Sequence, residues 1–113
     1  MIMSVEKYND DNVFAKILRG DLPTKKVFEN NELLCFCDQN PVSRIHVLII
    51  PKGKYINYTD FVSNAPADLV ARFFKTIPEI AKQLGVEEYR LVSNCGESAG
   101  QIIFHFHVHL IAK

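Results

Sequence analysis

The stretch that decides the fold is IIFHFHVHLI, residues 102–111, where three of the chain's four histidines alternate with other residues. Successive side chains of a β-strand point to opposite faces, so this alternation predicts a strand with one apolar face in the core. The other face would carry His105, His107 and His109. Same-face Cα atoms lie about 6.6 Å apart along a strand, so we expect a row of imidazoles that one substrate could touch. The apolar face would hold Phe104, Phe106, Val108 and Leu110.

Two kinds of chemistry could use such a row of imidazoles. Neutral imidazoles at alternate strand positions can share a zinc ion, and His46 could complete the ligand set. The cysteines form no paired ligand motif, however, and the sequence places no carboxylate beside the histidines. The alternative is covalent catalysis, because a neutral imidazole with a pKa near about 6.5 is a nucleophile whose neighbours can bind phosphoryl oxygens and protonate a leaving group.

Upstream, periodic apolar residues predict two main helices. The first helix spans about residues 11–19, and the second runs from Pro66 to Gly85 along one apolar face. Pro78 lies inside the second helix, and Thr76 with Glu79 has the form of a capping box, so the helix would kink or restart there.

The strands are predicted at residues 27–28, 33–37, 45–50, 89–93 and 102–111. Asn30-Asn31 would join the first two in a tight hairpin in the left-handed conformation. The continuous apolar run at 45–50 is typical of a central strand covered on both faces. Because sequential strands would mostly pair antiparallel and helices do not alternate with them, we expect an α+β fold.

Composition predicts one domain over residues 1–113, in which residues 1–10 form a flexible N-terminal segment. Thirteen basic and thirteen acidic residues balance, which argues against nucleic acid or a membrane surface as a partner. Cys35 and Cys37 have the two-residue spacing that makes their Cβ vectors parallel in a strand, which disfavours a disulfide between them. With no apolar leader or membrane span in the sequence, we expect a cytoplasmic protein.

The motif HFHVHLI at residues 105–111, preceded by Gly100-Gln101, resembles the histidine triad (HIT) family, and particularly its Hint-like nucleotide-binding branch. Further matches follow in the family's order: Phe14-Ala-Lys-Ile17, Leu22-Pro23, Phe36-Cys-Asp38, Pro41, the stretch 46–51 and Asn94. The resemblance implies a five-stranded antiparallel sheet with two main helices, which a homodimer extends into one continuous sheet.

The resemblance also implies the chemistry. His107 matches the central histidine, which would attack the α-phosphate of a purine (AMP-like) nucleotide substrate and form a nucleotidyl-histidine intermediate that water then cleaves. His105 and His109 match the flanking positions, which would orient the nucleophile, bind the phosphate and assist the leaving group. His46 matches a fourth histidine near the triad. The implied activity is that of a phosphoramidase or nucleotidyl hydrolase without a metal or other cofactor.

The nucleotide-binding residues also come from the family pattern. The nucleoside would lie against an apolar pocket, its ribose would meet Asp38, and its phosphate would meet Asn94, the Gly100 backbone and Gln101. Without the resemblance, the apolar positions would be read as core and Asp38 as a turn residue. The pocket positions are Val13, Phe14, Ile17, Leu22 and Phe36.

Three departures from the family pattern affect what the resemblance implies. Ile102 stands where a small hydroxyl residue is usual, so a hydrogen bond to the phosphate or leaving group would be missing. Asn12 and Ala15 stand where a zinc-binding subset carries cysteines. The sequence ends at Lys113, without the tail that shapes the leaving-group side in Hint-like relatives. Dinucleoside polyphosphate hydrolysis and nucleotide binding with little turnover therefore stay open as alternatives.

Overall fold

The computed structural model describes residues 7–113, and its centre is a sheet of five strands. The strands are β1 (Lys26–Glu29), β2 (Leu33–Cys37), β3 (Ile45–Pro51), β4 (Arg90–Val92) and β5 (Val108–Ala112). Their order across the sheet is β1-β2-β3-β5-β4, and each neighbouring pair is antiparallel. The predicted α+β fold with a five-stranded antiparallel sheet is confirmed.

Three α-helices accompany the sheet: α1 (Val13–Leu18), α2 (Tyr58–Asn64) and α3 (Ala67–Gln83). The sequence predicted α1 and α3 but missed α2, which is short and buries only Phe61. Its start is set locally, since the Asn57 side chain accepts a hydrogen bond of 2.8 Å from the backbone N–H of Asp60. No helix within residues 7–113 has both the length and the apolar character needed to cross a membrane.

Helix α3 continues through Pro78 as one element, so the predicted alternative of a restart there was wrong. The Thr76 hydroxyl donates a 2.7 Å hydrogen bond to the carbonyl of Arg72, one turn earlier in the same helix. Thr76 is therefore an interior helical residue that satisfies its own hydroxyl and does not cap a second helix.

The predicted hairpin between β1 and β2 is present, but its turn differs from the prediction. Among residues 7–113, positive φ values occur only at glycines, so Asn30 and Asn31 are not left-handed. Instead, the Asn30 carboxamide oxygen accepts hydrogen bonds from the backbone N–H groups of Glu32 (2.8 Å) and Leu33 (2.9 Å). The side chain closes the turn without requiring a positive φ.

The sheet buries a different apolar cluster on each face. The larger cluster joins inward-facing strand residues such as Ile49 and Leu110 to Phe73 and Ile80 of α3. The smaller cluster, on the opposite face, packs Phe14 of α1 against residues of β2 and β3. Strand β3 is buried along almost its whole length, which confirms the prediction of a central strand covered on both faces.

The histidine-bearing strand is shorter than predicted, because β5 begins at Val108 and residues 102–107 lie outside it. Its pairing with β3 extends only to Ile49 opposite Val108. Before that point, the Phe106 N–H donates instead to the carbonyl of Tyr55, in the loop after β3, at 2.7 Å. Phe106 still joins the larger core cluster, whereas Phe104 is only partly buried and outside it.

Candidate active site

A cleft of about 480 Å³ opens on the α1 face of the sheet, within the usual volume range of small-molecule sites. Helix α1, the end of β2 and the loop before β5 supply its walls. Ten of the predicted site residues line it: Val13, Phe14, Ile17, Leu22, Phe36, Asp38, Asn94, Gly100, His107 and His109. His46, Gln101 and His105 are not among its lining residues.

Aromatic rings form one wall of the cleft and reach the histidines. Phe14 meets Phe36 edge to face, with ring centroids 5.5 Å apart, and meets His107 in the same way at 4.9 Å. Val13 and Leu22 stay partly exposed at the cleft. An apolar planar group can therefore be covered immediately beside the His107 imidazole.

His107 is held as a neutral imidazole with its proton on Nδ1. Its Nδ1 lies 2.7 Å from the backbone carbonyl of His105, and a carbonyl oxygen can only accept, so Nδ1 donates. Nε2 then keeps its lone pair. Burial lowers the pKa of His107, and the carbonyl contact opposes that effect without reversing it. The side chain combines a cleft position with an unprotonated ring nitrogen, as a nucleophile requires.

The tautomer of His109 is determined by its hydrogen bond with His46. The backbone N–H of Val42 donates to His46 Nδ1 at 3.1 Å, so the His46 proton is on Nε2, which donates to His109 Nδ1 at 2.9 Å. His109 therefore carries its own proton on Nε2 and can present it as a donor in the cleft. Burial, followed by the nearby His107 and His46, lowers the pKa of His109 to about 4.

His105 lies behind the cleft and is fully buried. Its Nε2 donates to the carbonyl of Pro51 at 2.8 Å, and its Nδ1 is 2.6 Å from the hydroxyl of Tyr8. Burial lowers its pKa to about 4. The expectation that one substrate could touch all three histidines is wrong for His105, because this residue precedes the start of β5 at Val108 and its ring is buried away from the cleft.

Asp38 joins the histidines, contrary to the expectation that no carboxylate stands beside them. Its Oδ2 is 3.3 Å from His46 Nε2 and 3.9 Å from His109 Nδ1, so the three residues could be read as a metal site. A metal would need the lone pair of His46 Nε2. The Val42 N–H already occupies His46 Nδ1 as an acceptor, which leaves Nε2 protonated. The cluster is therefore better described as a hydrogen-bonded relay than as a zinc site.

Gln101 acts inside the loop rather than along the cleft. It is buried, and its amide nitrogen donates to the carbonyls of Ile56 (2.8 Å) and Ile103 (3.0 Å) while its oxygen accepts from the Gly96 N–H (2.8 Å). Gly100, which follows the 3-10 turn at Glu97–Ala99, has φ +101°. Gln101 thus braces the loop that presents the Gly100 backbone to the cleft.

Sequence reasoning missed several residues of the site. Leu48 lines the cleft and pairs directly with His109 across β3 and β5, and alternation from His46 could have placed it there. Tyr8 had no comparable signal, since it precedes every predicted element. The other additional lining residues are Pro23, Thr24, Cys37, Gln39, Asn40 and Ile103. Ile102, which the family pattern had placed beside the phosphate or leaving group, also lines the cleft.

Comparison with known proteins identifies the family of the chain. The model of the HIT domain family matches residues 19–113, which include Asp38, His46 and the histidine run. The chain belongs to the histidine triad (HIT) family. An uncharacterised HIT-like protein of Rickettsia prowazekii is 46% identical to it over 106 residues, covering 92% of this chain and 88% of that protein.

A solved structure described as a HIT family hydrolase from Clostridium thermocellum superimposes with a TM-score of 0.84 at 34% identity, covering 93% of this HIT chain and 92% of that one. The adenylylsulfatase HINT3 of Arabidopsis thaliana is 39% identical over 108 residues, 92% of this chain but only 53% of that protein, of which the chain spans about half. The fold is thus that of the family's hydrolases and nucleotide-binding proteins.

Proposed function

We propose that this protein hydrolyses purine nucleoside phosphoramidates or related nucleotidyl compounds at the α-phosphate, through a covalent intermediate on His107. One observation carries the proposal: the His107 Nδ1 bonds to the His105 carbonyl at 2.7 Å, so the unprotonated Nε2 belongs to a ring that lines the cleft. A buried neutral imidazole in this state can attack phosphorus without first losing a proton.

The walls of the cleft suit the parts of a nucleotide. The purine would lie in the apolar pocket formed by Val13, Phe14, Ile17, Leu22 and Phe36. The Asp38 carboxylate would accept from the ribose hydroxyls, while Asn94 and the Gly100 backbone would contact the phosphate. Gln101 would contribute by holding the loop that carries Gly100, since its own polar atoms bond within the chain.

The reaction would proceed in two balanced steps. In the first, His107 Nε2 forms a bond to the α-phosphorus while the bond from phosphorus to the leaving group breaks. Negative charge of the bound nucleotide favours the imidazolium form of His109, in which Nδ1 is also protonated and the His46 Nε2–H donates to the Asp38 carboxylate, 3.3 Å away. His109 Nε2 then passes its proton to the leaving group and keeps the proton on Nδ1. In the second step, water attacks phosphorus, the bond to His107 breaks, and the water proton goes to His109.

Rapid-quench mass spectrometry with an AMP phosphoramidate tests this mechanism. The wild type should carry AMP on His107. A His107→Asn variant should lose the adduct and at least about a thousandfold of kcat/KM, because the nucleophile itself is removed. Tyr89→Phe is the matched control, because Tyr89 lines a separate hollow formed by residues 42–44, 85–90 and 111–113. This variant should carry AMP on His107 as the wild type does. Full turnover by His107→Asn would contradict the mechanism.

The leaving group is tested separately with substrates that share an AMP half. The panel would contain amine, sulfate and nucleoside polyphosphate leaving groups, the sulfate being included because a relative is an adenylylsulfatase. The highest kcat/KM for amines would support the phosphoramidase assignment. The highest value for polyphosphates would instead assign dinucleoside polyphosphate hydrolysis, with the same attack at phosphorus.

A second candidate function is nucleotide binding with little turnover, and Ile102 favours it. Its side chain is 85% exposed at the cleft and brings no hydroxyl to the leaving-group side. Calorimetry that shows tight AMP binding, together with no hydrolysis across the panel, would establish this function and exclude the first.

The protein is further proposed to form a cytoplasmic homodimer. Strand β4 is at the edge of the sheet, and its Leu91 is 48% exposed, so a second copy could extend the sheet there. Light scattering should give the mass of a dimer for the wild type and of a monomer for Leu91→Lys. The free thiols Cys35, Cys37 and Cys95 suit a reducing cytoplasm, which cell fractionation would test.

A further inference from the structure

Tyr8 contacts the histidine run from outside the part of the chain that the family model matches, residues 19–113. Its hydroxyl is 2.6 Å from His105 Nδ1, and the two rings meet edge to face with centroids 5.6 Å apart. The residue is partly buried, and burial raises its pKa, so the hydroxyl keeps its proton at neutral pH.

The direction of this hydrogen bond follows from the other side of the ring. His105 Nε2 is 2.8 Å from the Pro51 carbonyl, which can only accept, so Nε2 carries the proton of the neutral imidazole. Nδ1 is then the acceptor, and the Tyr8 O–H donates to it. Since His105 is fully buried, removing this donor would leave a ring nitrogen without a partner in the interior.

The segment that carries Tyr8 is attached to the domain by polar contacts. Lys54 Nζ lies 2.8 Å from the Asp10 carboxylate, and Arg19 Nη1 donates to the Asp10 carbonyl at 2.7 Å. The Asn12 side chain caps α1 and also donates to the Asn9 carbonyl at 2.8 Å. The segment predicted to be flexible was residues 1–10, and residues 1–6 of it lie outside the described residues. Within residues 7–10, Tyr8, Asn9 and Asp10 make defined contacts with the domain.

We infer that Tyr8 is a positioning residue for the nucleophile, acting through His105. Its hydroxyl fixes the His105 ring, and the backbone carbonyl of the same residue holds the Nδ1 proton of His107. The inference rests on the proposed function, since it assigns Tyr8 a part in setting the attacking tautomer. Tyr8, which precedes α1, thereby helps to hold the histidines of the site in position.

The first test reads the imidazoles directly, without substrate. Long-range ¹H–¹⁵N correlation spectra of the wild type should show His105 protonated on Nε2 and His107 on Nδ1. In Tyr8→Phe, which keeps the ring and removes the hydroxyl, the His105 Nδ1 resonance should move to the position of an unbonded nitrogen, and His107 should show a mixture of tautomers. Tyr89→Phe is the matched control and should leave both rings unchanged.

The second test separates positioning from stability. Loss of one buried hydrogen bond should lower kcat for an AMP phosphoramidate about tenfold, with KM changed by less than about twofold. In a His105→Gln background, Tyr8→Phe should have little further effect on kcat, because the two residues act as a unit. Thermal unfolding of each variant shows whether enough folded protein is present for the comparison.

The outcomes distinguish this inference from the proposed function. Unchanged His105 and His107 spectra in Tyr8→Phe would overturn the inference whatever the activity. In an active enzyme, altered spectra with unchanged kcat would also overturn it. A wild type with no turnover would contradict the proposed function, whereas the spectra would still support or overturn the positioning of His105 and His107.

Discussion

His109 depends on its neighbour for the position of its proton. His46 is buried and donates from Nε2 to His109 Nδ1 at 2.9 Å. This hydrogen bond places the His109 proton on Nε2, where it faces the cleft. Asp38, 3.3 Å from the same His46 nitrogen, competes for that hydrogen. His46 would therefore matter to catalysis without touching substrate.

Replacing His46 tests this dependence. His46→Leu removes the donor to His109 Nδ1, so His109 can adopt the opposite tautomer and kcat should fall about tenfold or more. His46→Gln keeps an N–H donor and should retain more activity than His46→Leu. Steady-state kinetics with an AMP phosphoramidate provide the measurement. Equal kcat values for the two variants would contradict a hydrogen-bonding role for His46.

Ile102 offers a test of the leaving-group side. Because its side chain is 85% exposed, Ile102→Ser should change the free energy of unfolding by less than about 0.5 kcal/mol. The new hydroxyl should raise kcat/KM for amine leaving groups about fivefold, the effect of one hydrogen bond of about 1 kcal/mol. Ile102→Ala is the control that removes the apolar group alone, and an equal gain in that variant would exclude the hydroxyl as the cause.

At the scale of secondary-structure elements, the loop before β5 depends on Gln101. Gln101→Ala would leave the carbonyls of Ile56 and Ile103 and the Gly96 N–H without their partner. We expect the free energy of unfolding to fall by about 2–4 kcal/mol. Gln83→Ala is the control, since its amide donates one exposed hydrogen bond to the Val27 carbonyl. Urea denaturation of both variants makes the comparison, and equal losses would contradict the bracing role.

The elements also show what could be predicted from sequence. Strand β3 was predictable because its continuous apolar run is typical of burial on both faces. Residues 108–111 were predictable because they continue the alternation of apolar residues with histidines that begins at Phe104. Helix α2 was not, since its start depends on the Asn57 cap and its seven residues carry no long apolar stripe. The inward turn of His105 depends on contacts with Tyr8 and Pro51, which no local pattern encodes.

In the candidate site too, local sequence patterns predicted some features, whereas others depend on tertiary contacts. Eight of the cleft residues were identified only by resemblance to a family pattern, and they line one cavity together with His107 and His109. Alternation placed His107 and His109 correctly on the face opposite Phe106 and Val108. The proton positions required the structure, because they depend on Val42 and on backbone carbonyls whose distances from the rings a sequence does not contain.

For the whole molecule, the buried His105 predicts loss of stability in mild acid. Its pKa is about 4 in the folded state against 6.5 for the unperturbed group. The unfolded chain therefore takes up a proton first as pH falls, and stability is full above pH 6.5 and declines towards pH 4. The loss from this residue is at most on the order of 3 kcal/mol, and His109, whose pKa is also lowered, acts in the same direction.

Urea denaturation between pH 7 and about pH 4 measures this dependence. The slope of unfolding free energy against pH should be positive in the wild type and smaller in His105→Gln. The comparison uses the slope, so it holds even if the variant is less stable at every pH. The carboxyl groups of Glu29 and Glu32, whose pKa values are lowered by Lys52 and Arg72 respectively, contribute at the acid end in both proteins. Parallel slopes would contradict the assignment to His105.

The short α1 has a consequence for the behaviour of the molecule in solution. Six residues are too few to form a stable helix alone, so this wall of the cleft depends on the Asn12 cap and on burial of Phe14. It should open locally far more often than the sheet does. A nucleoside bound against Phe14 would occupy only the closed form, so amide hydrogen exchange in α1 should slow with AMP while exchange in β3 stays the same. The bound ligand would then stabilise the closed form of the wall that encloses it.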